Sequence, residues 1–297
     1  MTQEQKPKQP ESVEDKFKFQ LIYLMPILAS LGFGLGCAYL LAPQQQVSIG
    51  PVTPFPETTP GAPIGNALYF VILIAISAVL FYFLIKRRSK RVIKTLIILS
   101  MSTASLLLSW FYLTAIFSYY PDGMIFLIPL MIIITVLFDF AIFKFGGVVR
   151  NIAVIGLGGA LGIFLGNQIL IFAGLWSVVL ILAFLAVYDV IAVYKGPVGK
   201  IAESSGGLDE LQGLSFSFKD IQMGLGDLVF YSVLMGTVFF NFLPSVLPTI
   251  MAVVGILAGS IITFFMLEKK GIFPGLPFPI MLGLALGLLS GFFFPLF

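Results

Sequence analysis

Histidine is absent from the 297-residue chain, and cysteine occurs once, at Cys37. The first absence removes Ser–His and Cys–His nucleophile pairs, histidine general bases and HExxH zinc sites. The second removes any disulfide framework or Cys-rich metal site, and it leaves Cys37, inside an apolar run, as a small buried hydrophobe. Charge is scarce as well. Only 10% of residues are charged against 59% hydrophobic, and the formal net charge is +3. Soluble domains carry roughly 25% charged residues, so the chain is not one of them. A balance of +3 does not suggest a nucleic-acid partner. If the chain performs chemistry, carboxylates are the agents left, with no metal and no cofactor expected.

What remains is apolar, with a mean hydropathy of +1.05 and with 31 Phe, 30 Gly and 18 Pro. Gly and Pro at this level suit membrane helices, where neighbouring helices and waters re-satisfy the backbone. Residues 1–16 are polar and without apolar periodicity, which reads as a disordered cytoplasmic tail and not as a signal peptide. Residues 17–297 then form a single membrane domain of nine apolar stretches, near 17–42, 66–85, 92–120, 124–143, 151–171, 175–194, 221–242, 246–267 and 277–297. Each approaches the ~20 residues that a helix needs to cross a bilayer. The slightest divisions fall near Gly174 and at Asn241–Pro244.

The basic residues test this count. All 17 Lys and Arg fall before or at the start of the first span, or in alternate connections and at the span ends that face them, while the opposite connections carry only Glu57 and Asp122. By the positive-inside rule the expected fold is an all-α integral membrane protein with nine transmembrane helices, N-terminus cytoplasmic and C-terminus extracytoplasmic. The Pro-rich loop 43–65 is then extracytoplasmic, either a compact surface loop or a cap. The loop 195–220 is cytoplasmic and flexible, with room for one short interfacial helix. Gly158, Gly162 and Gly166 in span five, and Gly32 and Gly36 in span one, stand at four-residue spacing and are expected to be close-packing faces.

Of 14 acidic residues only Asp139, Asp189 and Asp227 lie inside spans. Each costs roughly 2.5–3.5 kcal/mol at a helix centre on insertion scales, which makes each a functional candidate. Asp139 sits within about two turns of Lys144 and is expected to anchor at the interface. Asp189 is six residues before Lys195, and Asp227 is eight after Lys219, so consecutive antiparallel spans carry them to similar cytoplasmic depth. Two close carboxylates in low dielectric cannot both ionise easily, and they share a proton. One then acts as base to a water while the other polarises a peptide carbonyl. Geometry alone leaves three readings open: an aspartyl protease, a proton-coupled or cation carrier or channel, and a buried polar pair joining two helices.

Gly224 and Gly226, just ahead of Asp227, allow close approach of another backbone and loosen the helix start. The stretch FPGLPFPIML at 273–282 is expected to be extended, because Pro274, Pro277 and Pro279 prevent a regular helix; the simpler reading is a Pro cluster opening span nine. Its depth matches that of the two aspartates.

Tyr188–Asp189, then Gly224-Leu225-Gly226-Asp227, then Pro274-Gly275-Leu276-Pro277 together resemble the signature of presenilins and signal peptide peptidases, the GxGD intramembrane proteases. The flanks VYDVIAVYKGP and GLGDLVFYSVLMG are presenilin-like, most similar to the archaeal members. The likeness is tight over roughly 186–200, 222–236 and 272–282. It implies a presenilin-like fold and an aspartic-type endopeptidase, a hydrolase of transmembrane helices. Asp189 and Asp227 would be the catalytic pair, with Tyr188, Gly224, Leu225 and Gly226 supporting it. Pro274, Gly275, Leu276 and Pro277 would position substrate. Gly275 stands where the family usually has Ala, which keeps the small size and adds flexibility, so activity is expected to survive. The 195–220 loop is short beside that of animal presenilins, so maturation by self-cleavage there is not implied. The orientation matches presenilin and is opposite to signal peptide peptidase. Expected partners are therefore the lipid bilayer and single-span substrates with their N-termini outside; the residues indicate no accessory subunit or homo-oligomer. The expected location is the plasma membrane of a microbe.

Overall fold

The computed structural model describes residues 18–44, 50–87, 89–195, 215–218 and 221–293. The expected tail at 1–16 and most of the 195–220 loop lie outside the described residues. A 3-10 turn at Leu21–Leu24 leads into α1 (Met25–Leu41), followed by α2 (Ala62–Lys86), α3 (Lys90–Phe117) and α4 (Leu127–Phe143). The long α5 runs over Gly147–Tyr194. A β-hairpin of β1 (Ser215–Phe218) and β2 (Ile221–Gly224) precedes α6 (Leu225–Phe242), α7 (Leu247–Lys270) and α8 (Pro277–Phe293).

Seven helices among the described residues are long and apolar enough to cross a membrane, and α8, with 17 residues, is shorter. Nine separate spans were the sequence expectation. The difference lies mainly in α5, where spans five and six form one 48-residue element. At ~1.5 Å per residue it would reach ~72 Å, more than twice the ~30 Å of hydrocarbon in a bilayer. It is interrupted at Gly174, whose backbone (φ 76°, ψ 169°) is not helical, leaving an upstream arm at 147–173 and a downstream arm at 175–194. Only glycine adopts that conformation readily.

The described part of the Pro-rich loop contacts this break. The Glu57 N–H donates to Phe172 O at 3.1 Å, and the Glu57 side chain occupies the space that a Cβ on Gly174 would need. Asn66, at the start of α2, accepts from the Phe55 N–H, donates to Phe55 O and also donates to Ser177 Oγ in the downstream arm.

Near the centre stands α6. In its most apolar stretch 72% of residues are buried, against none in the corresponding stretch of α2. Around it pack α1, α5, α7 and α8, with α2, α3 and α4 further out. The outer helices turn apolar side chains such as Ile72 and Ile76 outward, as a lipid-facing surface requires.

Small residues set the closest approaches. A Cβ on Gly158 would meet Leu225 and Leu228, one on Gly162 would run into Ser232 and the Val229 carbonyl, and one on Gly166 would crowd the Val233 carbonyl. The span-five face therefore packs on α6. The span-one expectation is corrected: a Cβ on Gly32 or Gly36 would meet nothing within 4 Å, while Gly34 faces Ile163, Met235 and Gly159. A pair not singled out from the sequence, Gly255 and Gly259 in α7, lies against the backbone of α8 at Leu282 and at Phe278–Pro279.

Candidate active site

Asp189 lies near the end of the downstream arm of α5, and Asp227 lies in the first turn of α6. The α6 helix starts later than the sequence suggested. Residues 221–224 are a strand paired antiparallel with 215–218, Ser215 opposite Gly224, and Gly224 is the extended residue that precedes the first turn (φ −74°, ψ 142°). Asp227 is therefore the third residue of its helix.

The third element departs from the expected extended run. Pro277 opens α8 and Pro279 lies inside its first turn, so only 271–276 is non-helical. Proline suits the first helical turn because the N–H it lacks has no partner there. The Pro cluster thus serves as a helix start, and the irregular piece before it is short.

That short piece joins the site. The Leu276 N–H donates to Asp189 Oδ2 at 3.0 Å. At the neighbouring residue, a Cβ added to Gly275 would stand 2.9 Å from Asp227 Oδ2 and 3.0 Å from its Cγ and Oδ1. The two carboxylates, which are electrostatic neighbours, thus flank a single dipeptide. The absence of a side chain at 275 provides the clearance for Asp227.

Beside Asp227 is a cavity of about 140 Å³. Tyr231, Ser260 and Thr263 add hydroxyls to its wall, Met223 and Phe264 add apolar surface, and Gly275 forms its edge. A water takes about 30 Å³ of the liquid, so the space admits a few waters or one side chain. Phe264 is backed by the N-terminal segment: Phe19 stacks on it at 5.8 Å between ring centroids, and the Phe19 N–H is held by Glu268 at 3.0 Å.

Of the residues singled out in the sequence, Asp189, Asp227, Gly275 and Leu276 come together directly. Pro274, Leu276 and Leu225 are buried around them, while Tyr188 is half-buried beside Asp189 and does not line the cavity. Gly224 and Gly226 are exposed, and a Cβ on either would meet nothing closer than 3.9 Å. The close backbone approach expected there is not made within the described residues; the glycines leave open space beside Asp227.

Asp139 stands apart. Ser102 of α3 donates to its Oδ2 at 2.5 Å, and it does not line the cavity. Its partner is thus a hydroxyl on the neighbouring helix. Three contributors escaped the sequence reading: Tyr231, Ser260 and Thr263. For Tyr231 a signal was present, since it follows Asp227 by four residues and so shares its helix face.

The sequence model of the presenilin family matches residues 199–297. No curated protein sequence matches the chain. Two solved structures of a presenilin family intramembrane aspartate protease share the fold. The one in space group C222 aligns with a TM-score of 0.61 at 19% identity, covering 91% of this chain and 99% of that one. The one in space group P2 gives 0.62 at 20% identity, covering 93% and 98%. The last third of the chain is thus similar in sequence to presenilins, and nearly its whole length is similar in fold to these two proteases.

Proposed function

We propose that the chain is an intramembrane aspartyl endopeptidase that hydrolyses peptide bonds within transmembrane helices, with Asp189 and Asp227 as its catalytic pair. The observation that carries this reading is the placement of both carboxylates on either side of Gly275–Leu276. A backbone N–H donated to Asp189 suits the carboxylate that bears the charge, so Asp189 is assigned as base and Asp227 as acid. Water attacks the scissile carbonyl carbon as its proton passes to Asp189, and Asp227 gives its proton to the carbonyl oxygen. The gem-diol then collapses and the C–N bond breaks. Asp189 protonates the departing nitrogen, Asp227 recovers a proton from the diol, and the pair returns to its starting state. Such proton transfers contribute about 10²–10⁴-fold each.

In this reading the chain spans the membrane nine times, with the gap at Gly174 separating spans five and six. The N-terminus is cytoplasmic, and Lys195, Lys219, Lys269 and Lys270 mark the cytoplasmic depth of the site. Substrates are single-span proteins with their N-termini outside. Gly224 and Gly226 supply the open space by which a substrate backbone reaches Asp227. The plasma membrane is the assigned location.

The test is cleavage of purified single-span reporters in detergent, with products identified by mass. The wild-type chain is expected to cut inside the span. Asp189→Asn and Asp227→Asn should each lose activity by at least ~10²–10⁴-fold, while Asp139→Asn retains it. Solute flux that depends on all three aspartates, without cleavage, would instead identify a carrier.

A further inference from the structure

Tyr231 has no part in the chemistry above, yet its place is specific. The residue is 1% exposed, and its Oη donates to the Gly275 carbonyl at 2.9 Å. That carbonyl and the Leu276 N–H are the two ends of one peptide group. The N–H end donates to Asp189 Oδ2 at 3.0 Å. A hydrogen-bonded line therefore runs from the helix of Asp227, through one planar peptide, to the carboxylate of Asp189.

The peptide is conjugated. A donor on its oxygen holds the plane in place and draws electron density away from nitrogen, which makes the N–H a stronger donor; linked hydrogen bonds polarise one another in this way. Because Tyr231 and Asp227 lie one turn apart on the same helix face, the line also ties the position of Gly275 to the helix that carries Asp227. Gly275 is in turn the residue whose missing side chain gives Asp227 its clearance.

We propose that Tyr231 is a positioning residue for the aspartate pair, acting through the Gly275–Leu276 peptide that it holds. The inference rests on the endopeptidase reading of the site. A buried tyrosine hydroxyl needs a partner in any case, so the test has to separate alignment of the pair from packing.

The measurement is steady-state cleavage of a single-span reporter by the full chain and its Tyr231→Phe variant, together with the affinity of a hydroxyethylene isostere of the tetrahedral intermediate. The variant is expected to lose about tenfold in kcat, the size of one net hydrogen bond, with KM within about twofold. Isostere affinity should fall by the same factor as kcat, because both report complementarity to the transition state. A second variant, with residue 276 introduced as its α-hydroxy acid so that an ester oxygen replaces the N–H, breaks the line at its other end. Its kcat loss should not add to that of Tyr231→Phe.

Unchanged kcat and isostere affinity in the phenylalanine variant would overturn the proposal, as would fully additive losses. Equal changes in kcat, KM and melting temperature would reduce Tyr231 to a packing role. If Tyr231→Phe fails to fold, the ester variant alone decides: normal kcat and isostere affinity would sink the idea. A folded wild-type chain that cuts no reporter overturns the endopeptidase reading itself, and this inference with it.

Discussion

Gly275 shows how much a single methyl matters. A Cβ there would stand 2.9–3.0 Å from the Asp227 carboxylate, which would have to shift by a few tenths of an ångström toward the cavity beside it. Misplacement by about 1 Å costs on the order of 10²-fold in rate. The displacement here is smaller, so Gly275→Ala is expected to cleave the reporter with kcat reduced, by no more than about tenfold, and with its melting temperature close to wild type. An alanine variant as fast as wild type would show that Asp227 does not depend on the clearance. Asp189 and Asp227 were legible in the sequence because a carboxylate inside an apolar run is costly wherever it points. For Tyr231 only the four-residue spacing from Asp227 was legible, since its role comes from a bond to a residue 44 positions away.

Between helices, the same residue type has opposite effects at different positions. Gly162→Ala drives a Cβ into Ser232 and the Val229 carbonyl of α6, and overpacking of this kind costs about 1–3 kcal/mol. Gly36→Ala meets nothing within 4 Å and gains the better helix propensity of alanine, up to ~1 kcal/mol. Thermal unfolding in detergent should therefore lower the melting temperature of the first variant and hold or raise that of the second. The four-residue spacing of Gly158, Gly162 and Gly166 was readable as a packing face, but Gly32 and Gly36 have the same spacing and face open space. Spacing defines a stripe on a helix, while the rotation of the helix decides what the stripe touches. The α5 break is a second case. Gly174→Ala places a Cβ-bearing residue in a glycine-only conformation and against Glu57, for an expected loss of about 1–3 kcal/mol in the same assay. The sequence placed a division at Gly174, yet not that the Pro-rich loop would lock onto it, because that contact joins segments separated by more than 100 residues.

For the molecule in its membrane, the charge pattern makes a prediction independent of the chemistry. In a Cys37→Ser background the chain has no other thiol, so single cysteines report sidedness cleanly. Thr58 and Lys269 are both exposed. A membrane-impermeant thiol reagent on intact cells should label Thr58→Cys and spare Lys269→Cys until the membrane is opened. The reverse pattern would invert the orientation and, with it, the class of substrate. Membrane residence, the expected orientation and the two costly carboxylates follow from the sequence by itself, because transfer free energies and loop charges act locally and can be read from one end of the chain to the other. Tertiary structure decided which glycines are contacts, that the Pro cluster begins a helix, and that one peptide group at 275–276 links Tyr231 to Asp189. Those outcomes depend on helix rotation and on contacts between residues 44 and 87 positions apart, and no local sum over the sequence contains them.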